Sequence, residues 1–89
     1  MADAEMARTG LAQAVARFPE AAVTLRGMAL VDSAFREICE EYALAQQSLA
    51  GFEARTDAAE RPEIGDFRTV IAELEVEIRR YASEARPGH

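Results

Sequence analysis

Apolar residues step through the middle of the chain in alternating threes and fours. From Phe35 they run to Ile38, Tyr42, Ala45, Leu49 and Phe52, the stripe of a helix that packs lengthwise on another helix. A second stripe follows: Phe67, Ile71, Leu74, Ile78 and Tyr81, with Ile64 one step earlier. The spacing predicts a long helix over about 33–53 and a last helix over about 63–84. At 1.5 Å per residue the long helix spans roughly 30 Å. Asp32 and Ser33 offer side-chain acceptors at its start. Gly51 and the stretch Ala54–Glu63, with its Arg-Thr-Asp and Arg-Pro-Glu runs, mark the turn. Pro62 and Asp66 both suit the start of the last helix.

The two stripes match in one antiparallel register. Phe52 pairs with Phe67, Leu49 with Ile71, Ala45 with Leu74, Tyr42 with Ile78 and Ile38 with Tyr81. Short connections favour antiparallel neighbours. The small Ala45 falls opposite a large Leu74, and Phe35 falls opposite Ala85, where the last helix is ending. Phe35 is therefore expected to be partly uncovered, with the segment 25–31 near enough in sequence to cap it.

Upstream, residues 1–10 are small and mixed and are expected to fray. Leu11, Val15 and Phe18 recur at helical spacing, and Pro19 then interrupts and opens a second short helix reaching about Leu30. Ala22, Leu25 and Met28 line one side of it, and Gly27 weakens its end. The tail 85–89 contains Pro and Gly and is expected to be flexible, like 1–10. The expected fold is all-α: one domain over 1–89, an antiparallel helical hairpin with one or two short N-terminal helices packed on it.

One hairpin seam leaves apolar surface over. Cys39, Ala43 and Ala50, with Gln46 between, form a second stripe of small residues on the long helix, and Val70 and Val76 sit off the seam of the last one. These six residues are the candidate interaction face. The N-terminal helices can cover part of it. A second copy of the chain, giving a dimer, or a larger protein partner can cover the rest.

The segment Arg17-Phe18-Pro19-Glu20, followed by a short helix, by Val31-Asp32-Ser33-Ala34-Phe35-Arg36 and by Glu40-Glu41-Tyr42, resembles the small bacterial YdcH-like helical-hairpin proteins. The likeness covers about residues 17–52 and, loosely, the last helix. The chain differs in having no Lys, a longer turn and extra residues before Arg17. The resemblance implies a hairpin fold and brings no catalytic residues with it.

Charge narrows the function classes. The chain has 89 residues, 16 acids and 10 basic residues, for a net charge of -6. Every basic residue is Arg, so neither a Schiff-base lysine nor a P-loop lysine exists. The acidity is spread over both halves of the chain, which argues against nucleic acid and anionic membranes as partners. A single cysteine, Cys39, forms no internal disulfide, and the N-terminal run is not a signal peptide. No apolar run approaches the ~20 residues that span a bilayer. A cytoplasmic location is expected.

Candidate chemistry is sparse. Cys39 has Glu40 beside it and Arg36 one turn away, so it reads as a small core residue. One His and one Cys make no zinc site. Glu37, Glu40 and Glu41 lack the histidines of a di-metal carboxylate bundle and read as a solvated face, as do Glu73, Glu75 and Glu77. Glu75 and Arg79 are spaced for an i, i+4 pair. No catalytic, cofactor-binding or metal residues are expected. The expected function is non-enzymatic: a small helical adaptor or regulator that self-associates or docks on a partner. The alternative is a small-molecule or catalytic site between helices of an oligomer, which would need polar groups converging on the seam.

Overall fold

The computed structural model describes residues 2–84. The chain is all-α, with no strand among the described residues. Four helices follow in order: α1 Ala2–Arg17, α2 Ala22–Val31, α3 Ser33–Glu53 and α4 Pro62–Glu84. Single 3₁₀ turns, Pro19–Ala21 and Ala58–Glu60, precede α2 and α4. The molecule is elongated, 50 × 28 × 19 Å.

The punctuation residues act through identifiable bonds. The Phe18 amide donates to the Ala14 carbonyl and closes α1, and Pro19 then opens the next turn. Asp32 sits in an extended conformation between α2 and α3, where its Oδ1 accepts from the Phe35 amide at 3.1 Å. That bond satisfies one of the orphan donors at the start of α3. The α3–α4 turn is tied by Asp57, which accepts from Arg55 at 2.9 Å and from Arg61 at 2.7 Å. The two guanidinium groups hold its carboxyl well below the usual carboxylate range.

The core collects residues from all four helices and from the Phe18 corner. Ala14, Phe18, Leu25, Phe35, Cys39, Tyr42, Ala45, Leu74 and Ile78 form one buried cluster. Phe52 stacks on Phe67 with ring centroids 5.7 Å apart, and Phe35 meets Tyr81 at 5.2 Å. Arg68 reaches Glu53 at 2.8 Å beside the stacked pair.

Two expectations are corrected. Phe35 is completely buried, where the hairpin register alone leaves it partly uncovered. Tyr81 reaches it about one helical turn earlier on α4 than the register places it, and Met28 and Ala29 of α2 pack against the same cluster. The segment 2–10 is helical, so α1 is a full 16-residue helix rather than a short one beginning near Leu11, and Met1 lies outside the described residues. The tail 85–89 lies outside the described residues.

Candidate functional site

The stripe of small residues on α3 is where α1 lies. Cys39 and Ala43 are buried inside the chain. Gly10 of α1 rests directly on the Cys39 backbone, so closely that a Cβ built there would fall on the Cys39 carbonyl oxygen. Only glycine allows that approach. This corrects the expected interaction face: Cys39 and Ala43 are covered by the chain's own first helix, since backbones in contact leave no room for a visitor. Gln46 is half-buried and Ala50 is exposed. Val70 and Val76 are exposed on α4. Six positions apart, they point about 120° away from each other around a 3.6-residue helix and make no common stripe.

The sequence did carry a signal for this contact. Ala4, Ala7, Gly10 and Ala14 recur every three or four residues, one face of a helix built from small side chains. Such a face matches the Cys39 and Ala43 stripe better than a second copy does, because it is tethered to it.

The titratable groups inside the bundle serve packing. Burial pushes the Cys39 thiol up to about 11, so near neutral pH it is a protonated, poorly nucleophilic group. Tyr42 is buried, and its hydroxyl donates to Glu75 Oε2 at 2.8 Å. Arg17 Nε lies 3.5 Å from Glu75 Oε1. Burial, and then the carboxylate it faces, raise the Tyr42 phenol well above its ordinary value. Glu75 therefore joins α1, α3 and α4 instead of pairing with Arg79. The Arg79 guanidinium lies over the Phe18 ring, 5.2 Å from its centroid, with Arg17 at 4.9 Å. Phe18 is thus clasped by two cations. Among the described residues no group of three His, Cys, Asp or Glu side chains is placed to hold a metal ion.

The surface that stands out is on α2. Val23, Leu30 and Val31 are 84%, 82% and 81% exposed. Leu25 is the one residue of this helix that is fully buried. Successive residues turn by about 100°, so Leu30 and Val23 lie side by side, with Gly27 next and Val31 beyond it. The space beside Gly27 is open. Arg26 is the single charged residue on α2. The spacing of Ala22, Leu25 and Met28 marks only the buried side of α2. The spacing of Val23, Gly27, Leu30 and Val31 is itself a helical stripe, which a search for two stripes on one short helix would have found.

Comparisons with protein-family models, with curated proteins and with solved structures return no match. None of the described helices is long and apolar enough to cross a membrane.

Proposed function

We propose that this chain is a non-enzymatic interaction module of the cytoplasm, a small helical adaptor or regulator built on an antiparallel α3–α4 hairpin. The hairpin reading is supported by the order of contacts, in which Phe52 meets Phe67 near the turn and Phe35 meets Tyr81 at the far end. The resemblance of residues 17–52 to YdcH-like hairpins agrees with it.

One observation carries the reading: three large aliphatic side chains on α2 are more than four-fifths exposed on one short, nearly uncharged helix. Scattered exposed apolar residues need no explanation, but a contiguous set does. Covering each side chain gains about 1.5–3 kcal/mol as an upper bound, so a partner that seats all three has a substantial driving force. A second copy of the chain and a different protein are the two candidate occupants.

Site-specific photo-crosslinking in the host cell tests this. A crosslinker at Leu30 is expected to give a discrete adduct, and one at the exposed Glu73 of α4 is not. Equal labelling from both positions, or none from Leu30, would remove the reading. Sedimentation equilibrium of the pure protein then says whether the adduct partner is a second copy.

A further inference from the structure

Beside the exposed face of α2 lies a groove of about 410 Å³ between α1, α2 and the start of α3. Its walls are apolar, with Ala7 and Leu11 from α1 facing Ala29 and Leu30 from α2. Leu30 belongs to both features, so groove and exposed stripe form one continuous apolar surface. Three arginines, Arg8, Arg26 and Arg36, also line the groove, and no carboxylate does. All three are exposed, which places their charges at its edge. Arg36 Nη1 donates to the Ala29 carbonyl at 2.8 Å, which fixes it across the α2–α3 corner. Arg8 and Arg26 make no ion pair among the described residues. Glu37 and Glu40 lie in a neighbouring cleft on the other side of Arg36.

Those three charges are unusual in this chain. With them set aside, seven arginines remain against 16 acids. We propose that this surface docks an amphipathic helix of a different protein, with its apolar stripe on Leu11, Ala29, Leu30 and Val23 and an acidic edge facing Arg8, Arg26 and Arg36. The proposal rests on the interaction reading above and names the partner's chemistry. A helix is the occupant because the apolar surface continues past the groove along α2; a small ligand in the groove would leave Val23 bare. Gly27 lets a second helix axis come close. This is the helix-in-groove mode of recognition. Acidic flanks follow from the sign of the rim, since like charges juxtaposed at an interface are costly. A second copy of this chain is a poor occupant. Its exposed Val70 and Val76 point to different sides of α4 and Leu44 stands alone on α3, while its own α2 stripe carries the same arginine rim, so pairing two copies there sets like charges together.

The test uses the full chain and two synthetic helical peptides. Both carry Leu at i, i+3, i+4 and i+7; one is flanked by Glu, its twin by Lys. Fluorescence anisotropy is expected to show the Glu peptide binding at least about tenfold more tightly than the twin, with the gap closing as salt rises. The double variant Arg8→Glu with Arg26→Glu reverses the preference. Both side chains are exposed, so the helical circular dichroism spectrum stays unchanged. Leu30→Asp, at the exposed residue shared by groove and stripe, abolishes binding of both peptides. Equal binding of the twins, binding of neither, or indifference to the arginine reversal overturns the proposal. So does a dimer in sedimentation that dissociates on arginine reversal, which would assign the surface to a second copy. A Leu30 crosslink obtained alongside equal binding of the twins leaves the interaction reading standing and removes only this one.

Discussion

The first two helices meet the rest of the molecule in opposite ways. α1 offers small residues and comes down until its backbone touches that of α3, at Gly10 over Cys39. α2 buries Leu25 and turns Val23, Leu30 and Val31 outward. The apolar content of α2 is the higher of the two, yet α1 is the more closely packed. What decides closure is the fit of the surfaces. Glycine and alanine let two helices approach until dispersion contacts are dense, whereas larger side chains on a helix facing water have nothing to interlock with. The α1–α3 contact holds the bundle, and the exposed α2 face is the one the proposal assigns to a partner.

The sharpest way to break that division is Gly10→Ala. Two effects oppose each other. Alanine at a helix interior is favoured over glycine by about 1 kcal/mol. Against that, the added methyl must displace the Cys39 carbonyl, which is backbone and cannot swing aside. Overpacking typically costs about 1–3 kcal/mol; a methyl set against backbone falls at the upper end, so the clash wins and a net loss of about 2 kcal/mol is expected. Urea denaturation measures it. A stabilised variant would mean that α1 stands farther from α3 than described, and the contrast with α2 would collapse.

A middling effect is expected at Tyr42→Phe. The substitution keeps the ring in the core and removes the bond to Glu75, a hydrogen bond to a charged group of the kind worth about 1.5–3 kcal/mol. Glu75 retains Arg17 and a fifth of its side-chain exposure, 21%, so water and the guanidinium take over part of the loss. A cost near the lower limit, about 1.5 kcal/mol, follows. A neutral result would say that α1, α3 and α4 are joined by packing alone. The alkaline side gives a companion signature. Burial raises Cys39 to about 11 from 9.0. A raised folded value means stability is full below the unfolded value and falls as pH climbs from about 9 towards 11. The same sign holds for Tyr42, whose value is also raised by burial.

These contacts also show what the sequence makes legible and where it stops. The α3 and α4 stripes gave helix boundaries that the structure reproduces within a residue or two, because a long apolar period has one geometric solution. Asp32 and Pro19 were readable as boundaries for the same local reasons. Gly10 was not, since Thr-Gly near a terminus reads as an end when its partner is 29 positions away at Cys39. Tyr42–Glu75 was missed because Glu75 already had a plausible local partner in Arg79, and only tertiary packing chooses between them. The stripe of Cys39 and Ala43 shows the same limit: helical spacing allows an N-terminal helix to cover part of it, and only the contact at Gly10 says which part.

The smallest expected effect on stability tests the other half of the comparison. Val23→Ser combined with Leu30→Ser replaces two side chains that are 84% and 82% exposed. Surface substitutions away from caps, cores and ion pairs fall within about ±0.5 kcal/mol. The α2 helix loses a little propensity through serine, while the unfolded chain loses some sticky surface, and the two act in opposite directions. Unfolding midpoint and helical signal should therefore stay where they are. Cellular crosslinking from Arg26, the charged neighbour on the same helix, should fall sharply. A folded, equally stable protein that no longer engages its partner would establish that α2's outer face contributes to recognition and little to folding. A loss of 2 kcal/mol or more, of the size expected for core truncations, would instead place Val23 and Leu30 inside a closed core and erase the distinction between the two helices.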